Sequence, residues 1–174
     1  FPGGKGFPRL ELMTTSREVQ KTMAEAIQGM WKKHLGIHVD IRSCEWTAYK
    51  FAQNSMQYDF SSSSWSGDYL DPSSFLDLWG SASGNNNTGW FHPEYERLLA
   101  ESRATGDQEK RMALLARAEA LMLSESPVIP LYWAKRSYLK RPEVRGWRPL
   151  LLDNHLFEDI SLDADREHGK EAAP

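Results

Sequence analysis

The chain has 174 residues, 40% hydrophobic and 26% charged, a composition that supports one globular domain with a sizeable core and excludes a disordered chain. Its formal net charge of -3 excludes the concentrated basic face that a general nucleic-acid or anionic-membrane surface needs. Apolar runs such as Leu150-Leu151-Leu152 are too short to span a bilayer and no charged-then-apolar leader opens the chain, so an export signal is expected upstream. The single cysteine, Cys44, rules out an internal disulfide and a cysteine-based metal site.

Leu10-Glu11-Leu12-Met13 alternates as a short strand. Thr15-x-x-Glu18 then reads as a capping box, and Val19, Met23, Ile27, Met30, Trp31 and Leu35 recur at helical spacing until Gly36 ends the helix. Ile37-His38-Val39-Asp40-Ile41 alternates again, which predicts a strand, helix, strand unit with parallel strands and a right-handed crossover. Thr47 to Ser55 reads as a helix after Glu45-Trp46, and Tyr58 to Trp65 as a strand. Pro72 to Trp79 reads as a helix carrying Phe75, Leu76 and Leu78; the Ser-, Gly- and Asn-rich stretch Gly80 to Gly89 reads as a loop. His92 caps a helix with Pro93 at its first position and Tyr95, Leu98 and Leu99 buried. A further helix starts at Asp107 and sets Leu114, Leu115, Ala118, Leu121 and Met122 on one face. Pro127 and Pro130 bracket its exit into Leu131-Tyr132-Trp133, predicted as an apolar strand running toward Leu139, and Leu150 to Leu162 is strand-like. Beyond Asp163 no apolar period remains, so residues 164–174 are expected to be a mobile tail. Together these elements predict an α/β domain.

Seven tryptophans exceed what a core of this size uses, so some are expected to line a cleft or an interface. Trp65-Ser66-Gly67-Asp68-Tyr69-Leu70-Asp71-Pro72 places a carboxylate beside an indole on a glycine-bearing, non-helical stretch. That chemistry suits gripping a ligand amine, because Trp65 and Tyr69 lower the local dielectric and strengthen the attraction of Asp68 for a cation. The same residues also fit an ordinary helix entry with Asp71 as N-cap and Pro72 next. Other candidate chemistry is weaker. His34 and His38 have metal-pair spacing, but Gly36 between them ends the helix and turns the rings apart. Cys44 has the acidic neighbour Glu45 and reads as an inert thiol. Ser61-Ser62-Ser63-Ser64 lacks a nucleophile elbow, and no glycine-rich phosphate loop occurs. Asn86-Asn87-Thr88 matches a glycosylation acceptor, and the charge run Asp107, Glu109, Lys110, Arg111 is explained by a solvated helix face.

The segments Phe1-Pro2-Gly3-Gly4-Lys5-Gly6-Phe7-Pro8, Trp31-Lys32-Lys33-His34-Leu35-Gly36-Ile37, Glu45-Trp46, Trp65-Ser66-Gly67-Asp68, Asp71-Pro72, Asn86-Asn87-Thr88-Gly89 and Ser126-Pro127-Val128-Ile129-Pro130-Leu131-Tyr132 follow one another in an order that resembles the C-terminal part of the oligopeptide- and dipeptide-binding proteins of bacterial ABC importers. The resemblance runs from Phe1 to about Asp163. It implies one lobe of a type II periplasmic-binding-protein fold, a mixed sheet flanked by helices, with residues 1–163 forming part of the C-terminal lobe plus a returning segment. It also implies that the chain is incomplete, and that a second lobe of the same receptor, a peptide ligand and a membrane permease are its partners, with no cofactor and no nucleic acid. The location implied is periplasmic or otherwise extracytoplasmic, with membrane anchoring through an upstream lipoprotein signal as one form of it.

Carried over by position, Asp68 matches the family aspartate that pairs with the ligand α-ammonium, and Trp65 the tryptophan beside it, with Tyr69 next in the same turn. Ser62 departs from the pattern: some members carry an arginine there for the ligand carboxylate, and serine supplies no charge. Gln20 and Lys21 fall where other carboxylate contacts lie, although a solvated helix face explains Lys21 equally well. Three alternatives stay open at this point: a receptor of the same superfamily for a nickel chelate, haem or sugar; a hydrolase using Asp68 and Asp71 as paired carboxylates; and an adaptor that keeps only a docking surface.

Overall fold

The computed structural model describes residues 1–135, 137–150, 152 and 154–163; the tail expected over 164–174 lies outside the described residues. Leu10–Thr15 (β1) is the central strand of a parallel three-stranded sheet. Val39–Cys44 (β2) lies on one side, from Leu10 opposite Val39 to Thr15 opposite Cys44, and Phe60–Ser61 (β3) on the other, with Leu12 opposite Phe60. Alternation along β1 sends Leu12 toward Ala24, Ile27 and Trp31 of Glu18–Leu35 (α1), and Met13 toward Tyr49 and Ala52 of Trp46–Asn54 (α2). A strand covered on both faces must be apolar on both, and Leu12 and Met13 are 4% and 0% exposed. Antiparallel pairing occurs only apart from this sheet among the described residues, where Val144–Arg145 (β4) meets Ser161–Leu162 (β5).

The α1 helix ends where the sequence predicts, with Gly36 in the left-handed region at φ 71. This glycine also permits a backbone crossing. A Cβ on Gly36 would lie 2.2 Å from the Gly3 carbonyl oxygen, and one on Gly4 would lie 2.1 Å from that of Gly36. The start of α1 differs from the capping box read at Thr15. Thr15 is held in β1 opposite Cys44, so the helix begins at Glu18 with Arg17 at its N-cap and no side-chain cap bond. The buried stripe is correspondingly rotated: Ala24, Ile27 and Trp31 pack on the sheet, whereas the predicted members Val19, Met30 and Leu35 are exposed.

A second apolar cluster is built by helices alone. Ser73–Leu76 (α3) continues into a 3-10 turn over Asp77–Trp79, and the hairpin of Pro93–Ala104 (α4) and Gln108–Glu125 (α5) packs against it through Leu76, Tyr95, Leu98, Leu115 and Ala118. The caps read from sequence hold: the His92 ring accepts from the Glu94 N–H, and the Asp107 carboxylate accepts from the Lys110 N–H. Tyr95 is fully buried and its O–H donates to the Leu76 carbonyl at 2.6 Å, which satisfies its polar end within the cluster. Burial pushes the Tyr95 hydroxyl pKa up.

Three predicted strands are corrected. The strand-like reading of Leu150 to Leu162 shrinks, over its described residues, to Ser161–Leu162 after a 3-10 turn at Phe157–Asp159. The strand read over Tyr58 to Trp65 shrinks to β3, because the chain leaves the sheet after the Ser62 N–H has bonded the Met13 carbonyl and the Trp65 indole has bonded the Ser74 carbonyl. Over the described residues of 131–139 no strand forms, and Leu131, Tyr132, Trp133 and Leu139 are exposed. An apolar run becomes a strand only where a neighbour takes its N–H and C=O groups, and among the described residues no neighbouring strand pairs with this run. Among the described residues no helix is long and apolar enough to cross a membrane.

Replacing Gly36 by alanine tests the backbone crossing. The substitution is expected to cost about 1 to 3 kcal/mol from left-handed strain, with the Gly3 contact added to it. Urea unfolding curves read this directly, and a midpoint equal to that of the parent chain would remove the crossing as a constraint.

Candidate functional site

Parallel strands end at one common edge, and the stretch that follows β3 crosses that edge before entering α3. Ser62, half-buried, begins the crossing. Its N–H donates to the Met13 carbonyl, and its carbonyl accepts from the buried Tyr49 O–H, with Gln53 and Ser61 bonded around the same hydroxyl. The main chain is thus tied to both β1 and α2 just before the tryptophan.

Ser74 organises the next residues. Its carbonyl accepts from the Trp65 indole N–H at 3.1 Å, and its hydroxyl oxygen accepts from the Asp68 N–H at 2.7 Å. Trp65 is 41% exposed, so one face of the ring stays in solvent while its polar edge is satisfied. Gly67 lies close to α3, since a Cβ there would sit 3.0 Å from the Phe75 ring, which would have to give by a few tenths of an ångström. The Tyr69 hydroxyl lies 3.2 Å from the Ser73 hydroxyl, and its ring is exposed. The structure therefore brings Trp65, Asp68 and Tyr69 onto one turn braced by α3.

Two carboxylates three residues apart meet opposite surroundings. Asp68 is exposed, and among the described residues no hydrogen bond or ion pair engages its carboxylate. Asp71 accepts from the Ser73 N–H at 2.9 Å and from both terminal nitrogens of Arg111, at 2.6 and 2.7 Å. The Arg111 hydrogen bonds, with those from Ser73, hold the Asp71 carboxyl well below the usual carboxylate range. The helix-entry reading is shifted by one residue: Pro72, not Asp71, stands at the N-cap of α3, and Asp71 just before it accepts from the Ser73 N–H. With both oxygens engaged in this way, Asp71 is not a free partner for Asp68 in paired-carboxylate chemistry.

Sequence reasoning missed Arg111. Placed in a run attributed to a solvated helix face, it instead reaches from the first turn of α5 into the site turn. Charge type was the only available signal, and nothing local marks which carboxylate a surface arginine meets. Also missed were Thr14 and Thr15, whose hydroxyl oxygens are buried at the end of β1 without a hydrogen-bond partner among the described residues, as is the side-chain oxygen of Gln20 at the start of α1. Thr14 and Thr15, consecutive in β1, project to opposite faces of the sheet, and Gln20 lies at the start of α1. Lys21 is half-buried in the same first helical turn.

The remaining sequence candidates have structural roles or none. Asn86 of the acceptor triplet donates through its amide nitrogen to the carbonyls of Trp79 and Trp90, each at 3.0 Å, and accepts from Thr88, so it closes the loop between two tryptophans. His34 and His38 are exposed, and among the described residues no group of three or more His, Cys, Asp or Glu is placed to hold a metal ion.

Residues 2–87 match the family described as bacterial extracellular solute-binding proteins, family 5 Middle. The chain is 35% identical over 140 residues to the oligopeptide-binding protein OppA of Bacillus subtilis, covering 80% of this chain and 26% of that protein. Among solved structures, a periplasmic oligopeptide-binding protein of Borrelia burgdorferi superposes with a TM-score of 0.84 at 32% identity, over 93% of this chain and 33% of the other. Haemophilus influenzae OppA in complex with RPPGFSPFR superposes with a TM-score of 0.78 at 26% identity, over 88% of this chain and 31% of the other. The fold is accordingly that of a periplasmic binding protein, and the chain spans about a quarter of the length of the curated relatives it matches. With the family match, the relatives and the superpositions in agreement, the chain belongs to the bacterial extracellular solute-binding proteins of family 5.

Proposed function

We propose that this chain is the ligand-contacting part of a two-lobed extracytoplasmic receptor that binds peptides and passes them to an ABC permease, by reversible binding and without chemistry of its own. Residues 1–163 form part of one lobe together with a returning segment, and a second lobe closes over the ligand. The observation that carries the reading is the Asp68 carboxylate, exposed and unengaged among the described residues, on a turn whose backbone is fixed by Ser74 beside Trp65. A peptide α-ammonium brings a full charge and three donors to such a group. Enclosed between lobes, the charge-assisted bond is worth about 1.5 to 3 kcal/mol. Peptide as the ligand class is supported by the names of the relatives, among them oligopeptide- and dipeptide-binding proteins. Main-chain groups of an extended ligand are recognised without regard to side chains, which suits broad sequence tolerance.

Asp68→Asn in the two-lobed receptor is expected to weaken peptide binding by roughly tenfold to a hundredfold, the range set by one charge-assisted bond. Titration calorimetry measures it; unchanged affinity would take Asp68 out of the site.

Ser62 supplies no charge where some relatives of this type carry arginine, so recognition is expected to be asymmetric. Acetylating a peptide's N-terminus should cost much more affinity than amidating its C-terminus. Equal losses in competition binding would point to a cation elsewhere on the receptor.

The 174-residue chain alone is expected to bind peptide only in the roughly millimolar range, since one face of the ligand stays hydrated and its charge pair screened. It is also expected to self-associate through its exposed apolar surface, which includes Trp133 at 86% exposure and Leu139 at 104%. Light scattering and calorimetry check both, and a clean monomer with micromolar affinity would overturn the two-lobed account.

A further inference from the structure

We propose that Arg111 is a positioning residue for the ligand ammonium: its two-pronged grip on Asp71 fixes the turn that aims Asp68, although Arg111 touches no ligand itself. The inference rests on the reading of Asp68 as the ammonium anchor.

The path from Arg111 to Asp68 consists of short, directional bonds. Both terminal guanidinium nitrogens reach the Asp71 carboxylate, at 2.6 and 2.7 Å, with the two side chains 21% and 24% exposed. The same carboxylate accepts from the Ser73 N–H, and the Asp71 carbonyl accepts from the Ser74 N–H at 3.0 Å. Ser74 in turn holds the Asp68 N–H and the Trp65 indole. A helix of four residues such as α3 has few internal bonds to hold its own start, so while Leu76 packing holds its end, the grip on Asp71 fixes the start that carries Ser74. That grip is anchored in α5, whose 18 residues are packed along the α4 hairpin.

Electrostatics adds a second consequence. With Arg111 in place, the ionised Asp71 is charge-compensated and stays ionised well below the ordinary carboxylate range, leaving Asp68 as the carboxylate of the turn that no cation engages among the described residues. Removing the guanidinium would free a second carboxylate three residues away, able to draw the ammonium off the position that Asp68 defines. The bidentate fork is needed for the first effect, whereas lysine, which replaces only the charge, supplies the second alone.

The test compares wild type, Arg111→Met and Arg111→Lys in the two-lobed receptor, using one tripeptide with a free N-terminus and its N-acetylated form. The quantity read is the ratio of the two dissociation constants, with thermal unfolding measured alongside. A mere brace for the fold would lower stability, and with it the active fraction, but would leave this ratio unchanged. Arg111→Met is expected to reduce the ratio about tenfold, and Arg111→Lys to reduce it by about threefold while keeping the receptor folded. If wild type itself does not distinguish the two peptides, the reading of Asp68 fails and this inference with it. If wild type distinguishes them and both variants keep the same ratio, the positioning role alone is overturned. Should Arg111→Met not fold, the ratio in Arg111→Lys decides.

Discussion

Burial of β1 on both faces is the constraint on which the rest of the structure depends. Leu12 is covered by α1 and Met13 by α2, so neither helix can shift without exposing one side of the central strand. Parallel pairing on both flanks then sends β1 and β3 out at one edge, and the crossing stretch after β3 is delivered there whatever its own sequence prefers. Local preference matters only beyond that point. The chain from Ser62 to Asp71 contains no regular element, and its shape is set by bonds to Met13, Tyr49, Ser73 and Ser74.

The helical cluster has a different task from the sheet. Its buried residues come from α3, α4 and α5 together, so the short α3 is stable only as a passenger on the longer hairpin. Tyr95 joins the two parts, with its ring in the cluster and its hydroxyl on the Leu76 carbonyl. The site turn therefore stands between two distinct apolar clusters, one under the sheet that leads into it and one in the hairpin that receives it.

Elements with a strong period and clear punctuation were legible in the sequence. The helix ending at Gly36, the His92 and Asp107 caps, and the buried faces of α4 and α5 all follow from residues close in the chain. The failures share one cause, namely that the deciding partner is distant in sequence. Thr15 has the right neighbours for a capping box, yet pairing with Cys44 takes it into β1. Val19, Met30 and Leu35 have helical spacing but lie off the face that the sheet covers. Leu131 to Leu139 has strand composition, but among the described residues no strand pairs with it. Of the candidate site, the residue types were readable at Trp65, Asp68 and Tyr69; Ser74 and Arg111, which hold them, were not, because a serine in a helix and an arginine in a charge run carry no mark of their contacts.

Asp68 and Asp71 show why residue type alone does not assign a role. Both are aspartates on one turn, and a search for paired carboxylates selects both equally. Their difference is made by Arg111, forty residues further along the chain, which satisfies one and leaves the other unengaged among the described residues. A carboxylate already holding a guanidinium has lost most of its attraction for a second cation, while an exposed one retains it and loses only what water screens. Closing a second surface over the turn would remove that screening at Asp68 and change little at Asp71. The difference between two identical groups thus comes from which of their charges the fold has already met.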